Sequence, residues 1–389
     1  MCIFEHHACR IANVAQGRAR SGIILLRSSK PSVRRTAAAM IAVSLLAMVE
    51  PRPSAQSLFP TQQSLTFSLF DTYLNSLRQL ARIPGLSALI LQDGVPVWER
   101  GYGRADLDRA LEPTSFTAYQ IGGLSQAIGA TLFLKKCVDE NSGTPNDPLN
   151  LWLPLFPERT TTVTQLLGHV AASGGYKYDL ARVGAVTPAV EACSGMPYQQ
   201  LVAEDIFSRL DMKDSVPGSA LGAPTLEDVQ QFGTNNLARY SLTLGRAAKG
   251  YKVDTRGGRT TRTELPLTRS NAATGLISTA RDLAKFDASF RYNMLLRPET
   301  QLNAWTPVGP GFPTGLGWFV QAYNGVPVVW QFGTVPDAFS SLIVKVPTRG
   351  LTLILLANSD GLSPPLLALE KGDVTASVFA QTFLRMYVP

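Results

Sequence analysis

The 389-residue chain is poor in charge, histidine and cysteine: 17% of its residues are charged, three are histidine and four are cysteine. Two of the histidines, His6 and His7, and two of the cysteines, Cys2 and Cys9, lie within the first ten residues. The body is left with His169, Cys137 and Cys193. Nothing in it implies a metal or an organic cofactor. A basic excess is also missing from the body. Residues 1–55 carry eight Lys/Arg against two acids, whereas the rest carries 28 against 27. Six of the seven formal net positive charges therefore belong to the N-terminal segment. The body has no electrostatic footprint for nucleic acid or an anionic membrane. Internal repeats and low-complexity tracts are absent, and 45% hydrophobic residues suffice for one large two-lobed domain.

A membrane-length apolar run is lacking too. The apolar stretch Thr36–Val49 is fourteen residues long, short of the ~20 needed for a helical span. It follows Arg34-Arg35 and precedes Pro51, Pro53 and Ser54-Ala55. Residues 33–55 thus read as a secretory signal peptide, and export to the periplasm or medium is expected. No cysteine follows the run, so lipid attachment there is not indicated. Residues 1–32 show no periodicity and are expected to be an extension upstream of a start near Val33. Cys2, Cys9, His6 and His7 are set aside with it as a metal cluster. Export permits a disulfide, but Cys137 and Cys193 both sit in apolar helical patterns and are expected to be buried free thiols.

Along the body, apolar spacing predicts a helix over Ser64–Arg82, stopped by Ile83-Pro84-Gly85. A hairpin follows, Leu86–Gln92 and Val95–Tyr102 about Asp93-Gly94. Helices and loops are expected from Ile121 to about Asp287, including Val183–Gly195 and Pro197–Leu210. Residues 212–265 are polar, with few apolar repeats, and are expected to include long surface loops. Thr279, with Asp282 three residues on, reads as a helix N-cap. Two more hairpins turn at Asn324-Gly325 and Pro347–Gly350, and a last amphipathic helix is predicted over Pro365–Val388. One hairpin cannot make a stable sheet alone. The first must therefore join those at the C-terminus. The result is an α+β fold, an antiparallel sheet flanked by terminal helices plus an all-helical lobe at about 121–287, with the cleft between them as the natural ligand site.

Tyr119 to Ala130 reads as a strand end, a glycine turn at Gly122-Gly123 and the start of an apolar helix. It resembles the active-site segment of the serine β-lactamases and penicillin-binding proteins, in their class C and DD-peptidase-like branch. That family carries Ser-x-x-Lys here. The resemblance runs from Pro84 to Val388 through Gly101-Tyr102-Gly103, Val163–His169, Ser194–Tyr198, Gly275–Leu283 and Leu356–Ser359, in the family's order. It implies a two-lobed β-lactamase-like fold, in which a serine attacks a carbonyl, a Lys or Tyr takes its proton, and backbone amides hold the oxyanion.

The residues that would do this chemistry are mostly missing. Gly123 stands at the serine position and Gln126 at the lysine position. In the family's Tyr-x-Asn motif, Tyr178 matches and Leu180 replaces the asparagine. Gln331-Phe332-Gly333 occupies the place of the basic sheet-strand motif, and Thr334 offers a backbone amide. His169 matches a landmark and is read as structural. The resemblance thus implies a pseudoenzyme that binds a peptide-like or acyl ligand through Gly123, Gln126, Tyr178, Gln331, Gly333 and Thr334. The alternative is a working hydrolase with a displaced nucleophile at Ser125. No base lies near Ser125 in sequence, because Ile128 holds its i+3 position and Lys135 and Lys136 are two to three turns away.

Overall fold

The computed structural model of the chain divides into two units, Met1–Ser57 and Leu58–Pro389. It describes residues 62–254, 260–363 and 368–389, all in the second unit. The expected upstream extension and signal segment lie outside the described residues.

Helix α1 (Gln62–Leu80) leads into the predicted hairpin, β1 (Gly85–Gln92) and β2 (Val95–Gly103). A short strand, β3 (Ala118–Gln120), brings the chain to a single 3-10 turn at Gly122–Leu124 and then to α2 (Ser125–Phe133). A wider π-type turn, Leu134–Asp139, extends α2. The helical lobe follows with α3 (Val163–Leu167), α4 (Leu180–Gly184), α5 (Val186–Ser194), α6 (Tyr198–Leu201) and α7 (Leu226–Gly245). A small hairpin, β4 (Tyr251–Val253) and β5 (Thr260–Arg262), precedes β6 (Ile277–Thr279) and α8 (Ala280–Arg291). After α9 (Pro298–Ala304) come β7 (Phe319–Tyr323), β8 (Val326–Val335), β9 (Phe339–Val346), β10 (Leu351–Ala357) and α10 (Val378–Tyr387).

The main sheet is fully antiparallel in the order β2-β1-β10-β9-β8-β7. The N-terminal hairpin joins the C-terminal ones through β1 and β10, with Leu86 opposite Ala357 and Gln92 opposite Leu351. Alternation along the strands sorts side chains between two cores. Leu353 and Leu355 share one face with Trp330 and Phe332, and this face is covered by Phe70 and Leu74 of α1 and Phe379 and Phe383 of α10. Val329, Ile343 and Ile354 face the other way, against α2 and α8. Every residue of β10 is buried, as expected for a strand covered on both sides. Thr279 caps α8 as its spacing implies, accepting the Asp282 amide at 3.0 Å. Thr162 and Gln165 form a capping box on α3 that was not singled out.

Three expectations are corrected. Residues 212–265 are not chiefly loops, because Leu226–Gly245 is helical apart from a kink at Gly233, where φ is +71° and ψ 158°, and it starts with a Thr225–Asp228 capping box. Its inward face is narrow, with Phe232, Leu237 and Tyr240 buried, while Leu226 and Leu242 are exposed. So thin a stripe gives no strong apolar period. The α-helix at the C-terminus is shorter than Pro365–Val388. It begins at Val378, after 3-10 turns at Leu369–Lys371 and Val374–Ala376.

Third, Cys137 and Cys193 are not free thiols but a disulfide, with Cα atoms 5.6 Å apart. The apolar pattern identified one buried position, Cys137, and one half-buried position, Cys193. It carried no information that the α2 extension and α5 lie side by side. The bond closes a loop across a sequence separation of 56 residues. Replacing both cysteines by alanine is expected to lower unfolding stability by about 2–4 kcal/mol in a denaturant titration under oxidising conditions, with a matching loss on reduction of the wild type.

Candidate functional site

The site is built where the Gly122–Leu124 turn docks on β8. Gly122 has φ +52°, and a Cβ there would lie 2.8–2.9 Å from the Thr334 backbone. From the other side, a Cβ on Gly333 would lie 1.9 Å from the Ile121 carbonyl oxygen and 2.7 Å from the Leu124 nitrogen. Two glycines thus let backbone rest on backbone. Ser341 on β9 fastens the contact by donating its hydroxyl to the Ile121 carbonyl at 2.7 Å. The approach has little room to relax. Gly333→Ala is expected to destabilise by about 3 kcal/mol or more, with Gly123→Ala costing less because only the Tyr178 side chain must yield. Chemical denaturation of the two variants checks the order.

Gly123, Gln126 and Tyr178 come together, although Tyr178 is 52 residues from Gln126 in sequence. A Cβ on Gly123 would stand 2.7 Å from the Tyr178 hydroxyl and 3.4 Å from both Leu180 methyls. The space a nucleophile would need is filled by phenol and leucine. The Tyr178 ring is held at 5.2 Å from Phe332 and 4.6 Å from the His169 ring. Burial, then the nearby Glu370 and Tyr176, push its phenol well above the ordinary range, so it stays protonated at neutral pH.

His169 is the residue whose part in the site was underread. It has φ +55° and follows α3. Its Nδ1 accepts the backbone N–H of Asp179 at 3.1 Å, which leaves the ring proton on Nε2 to be donated to Gln126 Oε1 at 2.9 Å. Gln126 is completely buried, and its amide also faces the Tyr178 phenol. The Asp179 carboxylate meanwhile caps α4 by accepting the Arg182 amide. A neutral imidazole and a neutral carboxamide therefore share one buried hydrogen bond here. The local signal was the landmark ending at His169, but its partner at Gln126 is 43 residues away.

The remaining candidates separate from this group. Gln331 is fully buried on β8. Its Nε2 donates to the Gly317 carbonyl at 2.8 Å, and its Oε1 accepts the Phe332 amide at 2.8 Å. Gly333 and Thr334 meet the turn as described, and Thr334 is half-buried. Ser125 is completely buried, its hydroxyl accepting the Leu276 amide at 3.3 Å. Lys136 is paired with Asp205 at 2.8 Å and Glu140 at 3.0 Å, and Lys135 with Glu140.

Burial lowers the His169 pKa from 6.5 to about 4. Between those values the unfolded chain binds a proton that the folded chain refuses. Stability should therefore be flat above pH 6.5 and fall on acidification towards pH 4, by up to ~1.4 kcal/mol per pH unit. Thermal unfolding at a series of pH values should show this slope in the wild type and a shallower one in His169→Gln.

Fold and site together define a two-lobed α+β protein with a glycine turn and helix docked on an antiparallel sheet. The family model described as Beta-lactamase matches residues 70–373, and the chain belongs to that family. It is 25% identical over 319 residues to Protein flp of Staphylococcus aureus (strain MW2), across 74% of this chain and 62% of that one. It spans about six tenths of the length of the curated relatives it matches. Among solved structures it is similar to the octameric penicillin-binding protein homologue from Pyrococcus abyssi, with a TM-score of 0.64 at 19% identity, covering 82% of this chain and 77% of that one. It is also similar to the D-alanine carboxypeptidase AmpC from Burkholderia cenocepacia, with a TM-score of 0.61 at 18% identity, covering 83% and 100%. At these identities the structural likenesses establish the fold.

Proposed function

We propose that the chain is an exported, catalytically silent member of the β-lactamase family that binds a peptide-like or acyl ligand at the inter-lobe site without cleaving it. One observation carries the reading. Gly123 occupies the nucleophile position, and the Tyr178 hydroxyl stands 2.7 Å from where a side chain would begin. Acyl transfer needs a nucleophile and a group to take its proton. Gly123 offers no nucleophile. Gln126 is neutral, the Tyr178 phenol is held protonated, and the accepting nitrogen of His169 is occupied by Asp179 N–H. The displaced-nucleophile alternative meets the same difficulty, since the buried Ser125 hydroxyl is engaged by the Leu276 amide.

Ligand binding at this site rests on backbone groups of the turn and of Thr334, which need no catalytic side chain, and on the part of Tyr178 that reaches the surface. Seating a carbonyl over Gly123 requires Tyr178 and Leu180 to move aside. The Cys137–Cys193 bond supports export, because disulfides persist in oxidising compartments.

The test is covalent labelling of the full chain with a fluorescent penicillin and with a fluorophosphonate. No labelling is expected. Stoichiometric labelling that disappears in Ser125→Ala would establish the hydrolase instead. For the ligand, a thermal-shift screen with cell-wall peptides ending in D-alanine should raise the unfolding midpoint of the wild type. An unchanged midpoint with every peptide would sink the binding part of the reading.

A further inference from the structure

Between the α2 extension and α3 the chain carries ten residues without a charge, 148–157, of which only Asn150 is polar. They form a knob on the surface. A single 3-10 turn, Leu149–Leu151, starts it. Trp152, Leu153 and Phe156 are half-buried and pack on the core around α2, with the Trp152 ring edge-on to Phe133 at 5.4 Å. Leu151 and Leu155 are left outside, 64% and 97% exposed. Single exposed leucines are ordinary on protein surfaces. A leucine with nearly its whole surface in water, on a charge-free run seated by a tryptophan, is a patch of the kind that marks an interaction site.

The backbone of the knob makes few demands on water. Pro148, Pro154 and Pro157 have no N–H. Leu149 donates to the Thr161 carbonyl, Leu151 to Pro148, Trp152 and Leu153 to Leu149, and Phe156 to Leu153, all at 2.8–3.1 Å. Three prolines and five bonded amides account for eight of the ten nitrogens. An apolar medium penalises each unsatisfied backbone donor, so a loop that satisfies its own enters one at low cost.

The charges at its borders are already held. Asp147 accepts the Thr144 amide at 2.7 Å and its hydroxyl at 2.9 Å. Glu158 pairs with Arg182 and accepts the Thr161 hydroxyl at 2.6 Å. Arg159 is exposed and has no ion pair among the described residues, so it can meet a phosphate at the edge of the knob. A fluid bilayer accepts a convex apolar tip without a shaped pocket, whereas a protein partner must supply one. Tryptophan at the tip's base suits the headgroup level. No helix among the described residues is long and apolar enough to cross a membrane, so the contact is with its surface.

We infer that residues 148–157 are a docking surface for a zwitterionic lipid bilayer, with Leu151 and Leu155 among the upper acyl carbons and Trp152 at the headgroups. The near-neutral body supplies no attraction to anionic lipid, so burial of the leucines drives the contact. Phe133 ends α2, eight residues beyond Ser125 and about 12 Å along the helix. The knob is therefore seated at the far end of α2 from the glycine turn, and the inference does not depend on ligand binding there.

Vesicles of phosphatidylcholine with brominated acyl chains test it on the full chain. Bromine quenches nearby indole, and the chain's five tryptophans lie between residues 98 and 330, so the N-terminal apolar run gives no signal of its own. Wild-type emission should fall as vesicles are added, and most of that fall should vanish in Trp152→Phe. Leu151→Ser combined with Leu155→Ser alters only exposed side chains, so the variant should fold and need about tenfold more lipid for the same quenching. Mixing in phosphatidylglycerol should move the wild-type curve by less than about twofold. Absence of quenching, quenching unchanged in either variant, or quenching that requires phosphatidylglycerol would overturn the inference. So would sedimentation velocity without lipid that shows a wild-type dimer and a monomeric double-serine variant, which would assign the knob to a second copy of the chain.

Discussion

The Gly122–Leu124 turn lies against β8 with no side chain between the two backbones. Everything distinctive about the site follows from that contact. It needs Gly122 in a left-handed conformation and a bare Cα at Gly333, since a methyl group at either position would overlap backbone across the join. It sets the start of α2 against the sheet and brings Gln126 beneath the His169 loop. The contact depends on glycine backbone, not on side chains.

The electrostatics have been reorganised around neutrality. A serine–lysine pair would place a cation in the space between α2 and the His169 loop. Here a buried carboxamide and a neutral imidazole share one hydrogen bond, with the tautomer set by the Asp179 amide. Burial keeps both His169 and Tyr178 uncharged, lowering the pKa of one and raising that of the other. These shifts resemble those of many active sites in size, but they serve packing. The Tyr178 phenol keeps its proton at neutral pH, and the neutral His169 ring has its accepting nitrogen engaged by the Asp179 amide. The Lys345–Asp287 pair differs, since there the charges are kept and matched beneath aromatic rings.

Much of the architecture was legible in the chain. The hairpins at Asp93-Gly94, Asn324-Gly325 and Pro347–Gly350 are local events with local turn chemistry, and each forms as expected. The Thr279 cap lies within one turn of its partner. What went unseen involved partners far apart in sequence or faces too narrow to give a period. The α7 helix hid because most of its surface is polar. The disulfide hid because two cysteines in apolar helical patterns do not reveal that their helices are neighbours.

The site divides along the same line. Its residue types are a matter of sequence alone: glycine at 123, glutamine at 126, tyrosine at 178, and no acid–base pair in the expected places. Their arrangement was decided by the tertiary structure. Packing turned Tyr178 over Gly123 on the ring of Phe332, gave Gln126 to His169, and spent Ser125 on Leu276 and Gln331 on Gly317. The physical reason is range. Turn geometry and capping act within a few residues, whereas the position of a buried hydroxyl or amide is set by whichever distant backbone group satisfies it.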